Sequence, residues 1–143
     1  MIKKAKILII INDCESDENA INKIEKIIKP WGNPEIYLFY TVDLSYMPPD
    51  VFAALDKKFY NKLKEKGSKI LKNLIDKLKS KGFNVKKADM YFGIAAEGIL
   101  RYEKSIKPDV IILCEKKSII KKIIEGLPTL ITSKSKAPVV ITG

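Results

Sequence analysis

The sequence predicts a single open α/β domain built on a parallel sheet, and three features carry that expectation. Five short apolar runs of strand length alternate with segments in which apolar residues recur every three or four positions. Most of the runs are apolar throughout, as strands covered on both faces are, so crossovers should place helices on both sides of the sheet. A length of 143 residues allows one buried core but not a catalytic domain with a separate regulatory one, so residues 1–143 are read as one domain.

The first run, Ala5 to Asn12 (AKILIIIN), is a strand, and Asp13-Cys14-Glu15-Ser16 supplies polar residues able to cap a following helix. From Asp17 to Lys29 the residues Ala20, Ile21, Ile24, Ile27 and Ile28 form one inward face, which Pro30 and Gly32 terminate. Ile36 to Val42 is the second strand. Asp43 to Asp50, with Met47-Pro48-Pro49, reads as a loop. A long helix is then expected from Val51 to Lys81, its apolar face made by Phe52, Leu55, Phe59, Leu63, Ile70, Leu71, Leu74 and Leu78, interrupted at Gly67 and closed by Gly82. Val85 to Phe92 is a strand at an edge, because Lys86, Lys87 and Asp89 interrupt it. Ala95 to Ile106 is a helix that stops before Pro108. Asp109 to Cys114 is a strand, Ser118 to Ser133 forms two short helical pieces broken at Gly126 and Pro128, and Val139 to Thr142 is the last strand. There is no internal repeat, low-complexity segment or linker.

Composition narrows the chemistry. The chain has no His, which removes Ser-His-Asp and Cys-His catalysis and the usual zinc sites. No G-x-x-x-x-G-K-[ST] pattern occurs. The apolar stretch near the start is too short for a secretory signal or a membrane span, and two cysteines make no disulfide framework, so a cytoplasmic protein without a membrane partner is expected. Twenty-six Lys and one Arg against 17 acids leave a net charge of +10. Lysine-rich, glutamine-free composition is the habit of thermophile proteomes and of AT-rich coding, so the charge by itself does not imply a polyanion partner.

Ligands of open α/β sheets bind beyond the carboxyl ends of the strands, where strand order reverses. The residues to read are Asp13 and Cys14, Thr41 to Asp43, Gly93, and Cys114 to Lys117. Here the chain resembles a known family. The strand running into an aspartate (ILIIINDCES), the helix and strand AAEGILRYEKSIKPDVIILC and the ending KSKAPVVITG are similar to the universal stress protein family over nearly the whole chain. The resemblance implies a five-stranded sheet ordered 3-2-1-4-5, of the adenine nucleotide alpha hydrolase-like type. It also implies a homodimer joined through the last strands, here Val139, Val140 and Ile141.

ATP-binding members of that family follow the fourth strand with G-x2-G-x9-G-[ST], in which glycines let backbone N–H groups approach the phosphates. The matching positions here are Cys114, Lys117, Gly126 and Leu127, with the second spacing one residue shorter. The resemblance places Asp13 at the adenine-contacting acidic position and Thr41 and Val42 where the second strand's backbone meets the base. The first expectation is therefore a small regulatory binding protein, no enzyme and without a cofactor, that does not hold ATP in the family's manner. The alternative is a nucleotide-binding switch or weak nucleotide hydrolase, taking ATP through Asp13 and point charges from Lys116, Lys117, Lys121 and Lys122.

Cys14 and Cys114 follow strands that this topology makes neighbours; they are expected to be a turn residue and a small buried residue, with a redox pair as the alternative and a metal site ranked below it, since two thiolates alone are an incomplete ligand set. The lysines of the long helix (Lys57, Lys58, Lys62, Lys64, Lys66, Lys69, Lys72, Lys77 and Lys79) have few aromatic neighbours and are interspersed with Glu65 and Asp76. A solvated face is the expectation, not a nucleic-acid site. The segment Ser45-Tyr46-Met47-Pro48-Pro49 is read as a connecting loop, a lid or a partner contact, with nothing in the sequence to separate them.

Overall fold

A computed structural model describes residues 4–12, 18–45, 47–115 and 135–142. The strands are β1 (Lys6–Asn12), β2 (Glu35–Asp43), β3 (Asn84–Gly93), β4 (Val110–Glu115) and β5 (Val139–Thr142), and the helices α1 (Glu18–Ile28), α2 (Pro49–Ala53), α3 (Lys57–Ser80) and α4 (Ala95–Ile106). All the strands pair in parallel in one sheet ordered β3-β2-β1-β4-β5, as the resemblance implies. The helical pieces expected within Ser118 to Ser133 lie outside the described residues, as do the capping residues 13–16.

The apolar runs are explained by two cores, one on each face of the sheet. Ile7, Ile9 and Ile11 of β1 and Val110, Ile112 and Cys114 of β4 point to one side and pack with Ile21, Ile24 and Ile28 of α1 and Leu71, Leu74 and Leu78 of α3. Leu8 and Ile10, with Ile111 and Leu113, point to the other and meet Ala95, Ala96 and Ile99 of α4. Alternate side chains of a strand face opposite ways, so a strand sandwiched between helices has no wet positions to mark with polar residues. Each fully buried Ile or Leu contributes about 1.5–3 kcal/mol relative to exposure.

At the amino end of the sheet β1 and β4 are tied by reciprocal bonds: Lys6 N donates to Asp109 Oδ2 at 2.8 Å, and Asp109 N donates to Lys6 O at 2.7 Å. α1 ends as expected, through a 3-10 turn at Lys29–Trp31 and Gly32 at φ 80°.

The single helix expected over Val51 to Lys81 is two. Pro49 begins the short α2 within what reads as loop, Ala54 closes it, and Asp56 then takes an extended conformation and accepts a hydrogen bond from Phe59 N at 3.0 Å, the N-cap of α3. Phe52 therefore lies outside the inward stripe and is 37% exposed. Gly67 does not interrupt α3 either. It is buried, and a Cβ there would lie 2.7 Å from Met90 Sδ and 2.9 Å from the Tyr40 ring, so its missing side chain is what lets the helix settle on β2 and β3. Gly82, at φ 88°, ends the helix with Phe83 N donating to Leu78 O at 3.0 Å.

β3 is an edge strand, as its charges predict, and the register slips by one residue at Lys86. Among the described residues, no helix is long and apolar enough to cross a membrane.

Candidate functional site

The strand order reverses between β1 and β4, and beyond the carboxyl ends of strands at such a reversal is where open α/β sheets take their ligands. Register brings Asn12 beside Thr41 across β1 and β2, and Ile11 beside Cys114 across β1 and β4. Thr41 Oγ1 donates to Asn12 Oδ1 at 3.0 Å, with both residues buried. That bond satisfies polar groups which would otherwise be costly beneath the sheet's edge. It also engages the hydroxyl proton of Thr41, whose side chain is fully buried. Val42 turns its side chain into the core beside α3, leaving its backbone in the same position.

Two strands along, Cys114 is buried against β5. Burial pushes its thiol up, and the hydroxyl of Thr142, donating to Sγ at 3.1 Å, opposes that shift without cancelling it. A thiol held protonated is a poor nucleophile and a poor redox partner at neutral pH. Cys14 lies outside the described residues, so of the proposed pair the structure gives only the neighbouring strands. Asp13, Lys116, Lys117, Lys121, Lys122, Gly126 and Leu127 also lie outside them.

The chain leaving β2 is fastened to the neighbouring strand end. Asp43 Oδ1 accepts from Ser45 N at 2.9 Å, Leu44 N donates to Gly93 O at 2.8 Å, and Met47 N donates to Leu44 O at 3.1 Å. Leu44 is buried and Met47 packs against the core, so the stretch around Ser45 to Pro49 is anchored from below; Tyr46 is outside the described residues.

Three contributors escape sequence reasoning. Asn12 and Thr142 take their roles from partners 29 and 28 residues away, which only the register reveals. Glu103, on α4, is a buried carboxylate that accepts from both Lys136 N and Ala137 N at 3.1 Å, holding the approach to β5 against the helix. Its signal in the sequence is faint: an acid on the inward stripe between Ile99 and Ile106. Among the described residues, no three acids or cysteines gather as a metal site would require.

No protein-family model matches the sequence, and no curated protein matches it significantly. Solved structures do. The hypothetical protein MJ0577 is similar at 23% identity and a TM-score of 0.73, over 98% of this chain and 96% of that one. Universal stress protein UspA from Lactobacillus plantarum is similar at 14% identity and a TM-score of 0.69, over all of both chains. A universal stress protein family protein from Arabidopsis thaliana, with AMP bound, is similar at 17% identity and a TM-score of 0.65, over 96% of this chain and 90% of that one. A 3-2-1-4-5 parallel sheet, cores on both faces and matches that span nearly whole chains lead to one conclusion: this chain has the fold of the universal stress proteins.

Proposed function

We propose that the chain is a small regulatory binding protein of the universal stress type, cytoplasmic and homodimeric, that does not hold ATP through a glycine cradle. The observation that carries this reading is the end of β4. The family resemblance sets Cys114 at the first glycine of the ATP-binding motif, and its side chain is packed in the core beside Thr142, so a Cβ stands where the motif has none. Lys117 and Leu127 replace two further positions of the same motif. Homodimerisation is supported by β5, an edge strand on which Val140 and Ile141 are exposed. A stress-response role accompanies this reading.

A second reading, a nucleotide-binding switch or weak hydrolase working through Asp13 and the lysines of 116–122, is favoured by the likeness to a protein that has AMP bound. Isothermal titration with ATP and Mg²⁺, and separately with AMP, distinguishes the two. The first reading expects no heat at high micromolar ligand. A dissociation constant in the low micromolar range, or a nucleotide released from freshly purified protein and seen by mass spectrometry, would reverse the order.

A further inference from the structure

The positive charge of this chain is not spread over it. α3 carries nine lysines and two acids, a net +7, while the remaining 18 basic and 15 acidic residues leave only +3. A general bias toward lysine would enrich all the helices alike. In α1 and α4 basic and acidic residues are equal in number; in α3 they are not.

The structure shows which way that charge faces. Gly67, Leu71, Leu74 and Leu78 occupy the inward side of α3, so Lys58, Lys62, Lys69, Lys72 and Lys79 fall on the side facing solvent. Among the described residues none of these five has a carboxylate within ion-pair distance, whereas Lys77 and Lys81, at the flank, are paired with Glu18 and Glu25 of α1 at 3.2 and 2.9 Å. Twenty-four residues of helix make a rod of about 36 Å, close to one turn of a B-form duplex.

We propose that the outer face of α3 is a docking surface for the phosphate backbone of double-stranded nucleic acid, without sequence preference. The composition of the face selects this partner over others. Protein interfaces draw their affinity from buried aromatic and aliphatic anchors and are depleted in lysine, and this face offers no such anchor. An interfacial membrane helix needs an apolar side for the lipid, and the apolar side of α3 is spent on the core. Binding driven by release of counterions from a polyphosphate needs neither. With no Arg and no exposed aromatic on the face, there is nothing to read base edges or stack on unpaired bases, so a duplex is preferred to a single strand. Glu65 and Asp76 break the lysine row and keep the attraction modest.

The test is fluorescence anisotropy of a labelled 30-base-pair duplex of arbitrary sequence with the full chain. Three proteins are compared: wild type, the triple variant K62Q/K69Q/K72Q, and the charge-matched control K23Q/K26Q/K104Q, whose lysines are exposed on α1 and α4. Wild type is expected to bind at 50 mM salt and to release the duplex by 200 mM. The α3 variant should lose at least about tenfold in affinity and about three units of salt slope, and the control less than about twofold. Equal losses in the two variants would show a diffuse field and sink the proposal, as would no binding by wild type at 50 mM salt. Binding to anionic phospholipid vesicles in place of the duplex would also sink it. Matching melting curves show that all three proteins are folded.

Discussion

Tyr102 and Asp89 show how much of this fold is settled by single contacts between distant elements. The Tyr102 hydroxyl donates to Asp89 Oδ2 at 2.7 Å, joining α4 to the edge strand β3, while its ring stacks on Phe39 with centroids 4.2 Å apart. Burial first, and the neighbouring carboxylate second, push this phenol far above its ordinary range. Because the folded value is raised above the unfolded one, the contribution to stability is complete below about pH 10 and declines as pH rises beyond it. Thermal melting between pH 9 and 11 should therefore show a shallower alkaline loss in Tyr102→Phe than in wild type, set against a small uniform cost from the missing hydrogen bond. Gly98 serves the same joint from the other side: a methyl there would collide with the Tyr91 ring, so α4 lies against β3 because this position is bare. Neither relation is visible in the sequence, where Tyr102 reads as one more residue of a helix and Gly98 as a weak spot in it.

The elements themselves were largely legible. α4 and β5 have the bounds that periodicity predicts, and β1 and β4 announce themselves as unbroken apolar runs because both of their faces are covered. The long helix reads as one piece in the sequence because Asp56 sits among Leu55, Lys57 and Lys58, where a cap looks like one polar residue in an amphipathic run. Residues 54–56 separate α2 from α3, with the Asp56 backbone extended at ψ 176°. Replacing Asp56 by Ala removes the acceptor for Phe59 N and should cost about 1 kcal/mol, within a range of roughly 0.5–2. Urea denaturation followed by circular dichroism would measure this, and an unchanged midpoint would mean that packing alone holds the start of α3. For the candidate site the sequence offers an edge of the sheet and no pairings. A parallel sheet puts it at the strands' carboxyl ends, but pairs such as Asn12 with Thr41 exist only once the register is known.

For the molecule as a whole, two surfaces deserve different treatment in solution. The edge at β5 is apolar, with Ile141 52% exposed, and the outer side of α3 is cationic. Under the dimeric reading, Ile141→Lys places a charge on each side of the twofold contact and should yield monomer at micromolar concentration in sedimentation equilibrium; an unaltered dimer would put the interface elsewhere. β5 itself has a particular mode of attachment. It pairs with β4 over four residues, and the chain entering it is held by two backbone bonds to Glu103. Strands at the centre of the sheet have a neighbour on each side, whereas β5 has only β4, so local opening should begin at β5 and the Glu103 bonds oppose it. Its amides should accordingly exchange with solvent at a fraction of the global unfolding free energy, and sooner still in Glu103→Ala. Under the dimeric reading, pairing with a second copy would give this edge strand a second neighbour and slow that exchange, so its amides would report assembly as well as opening.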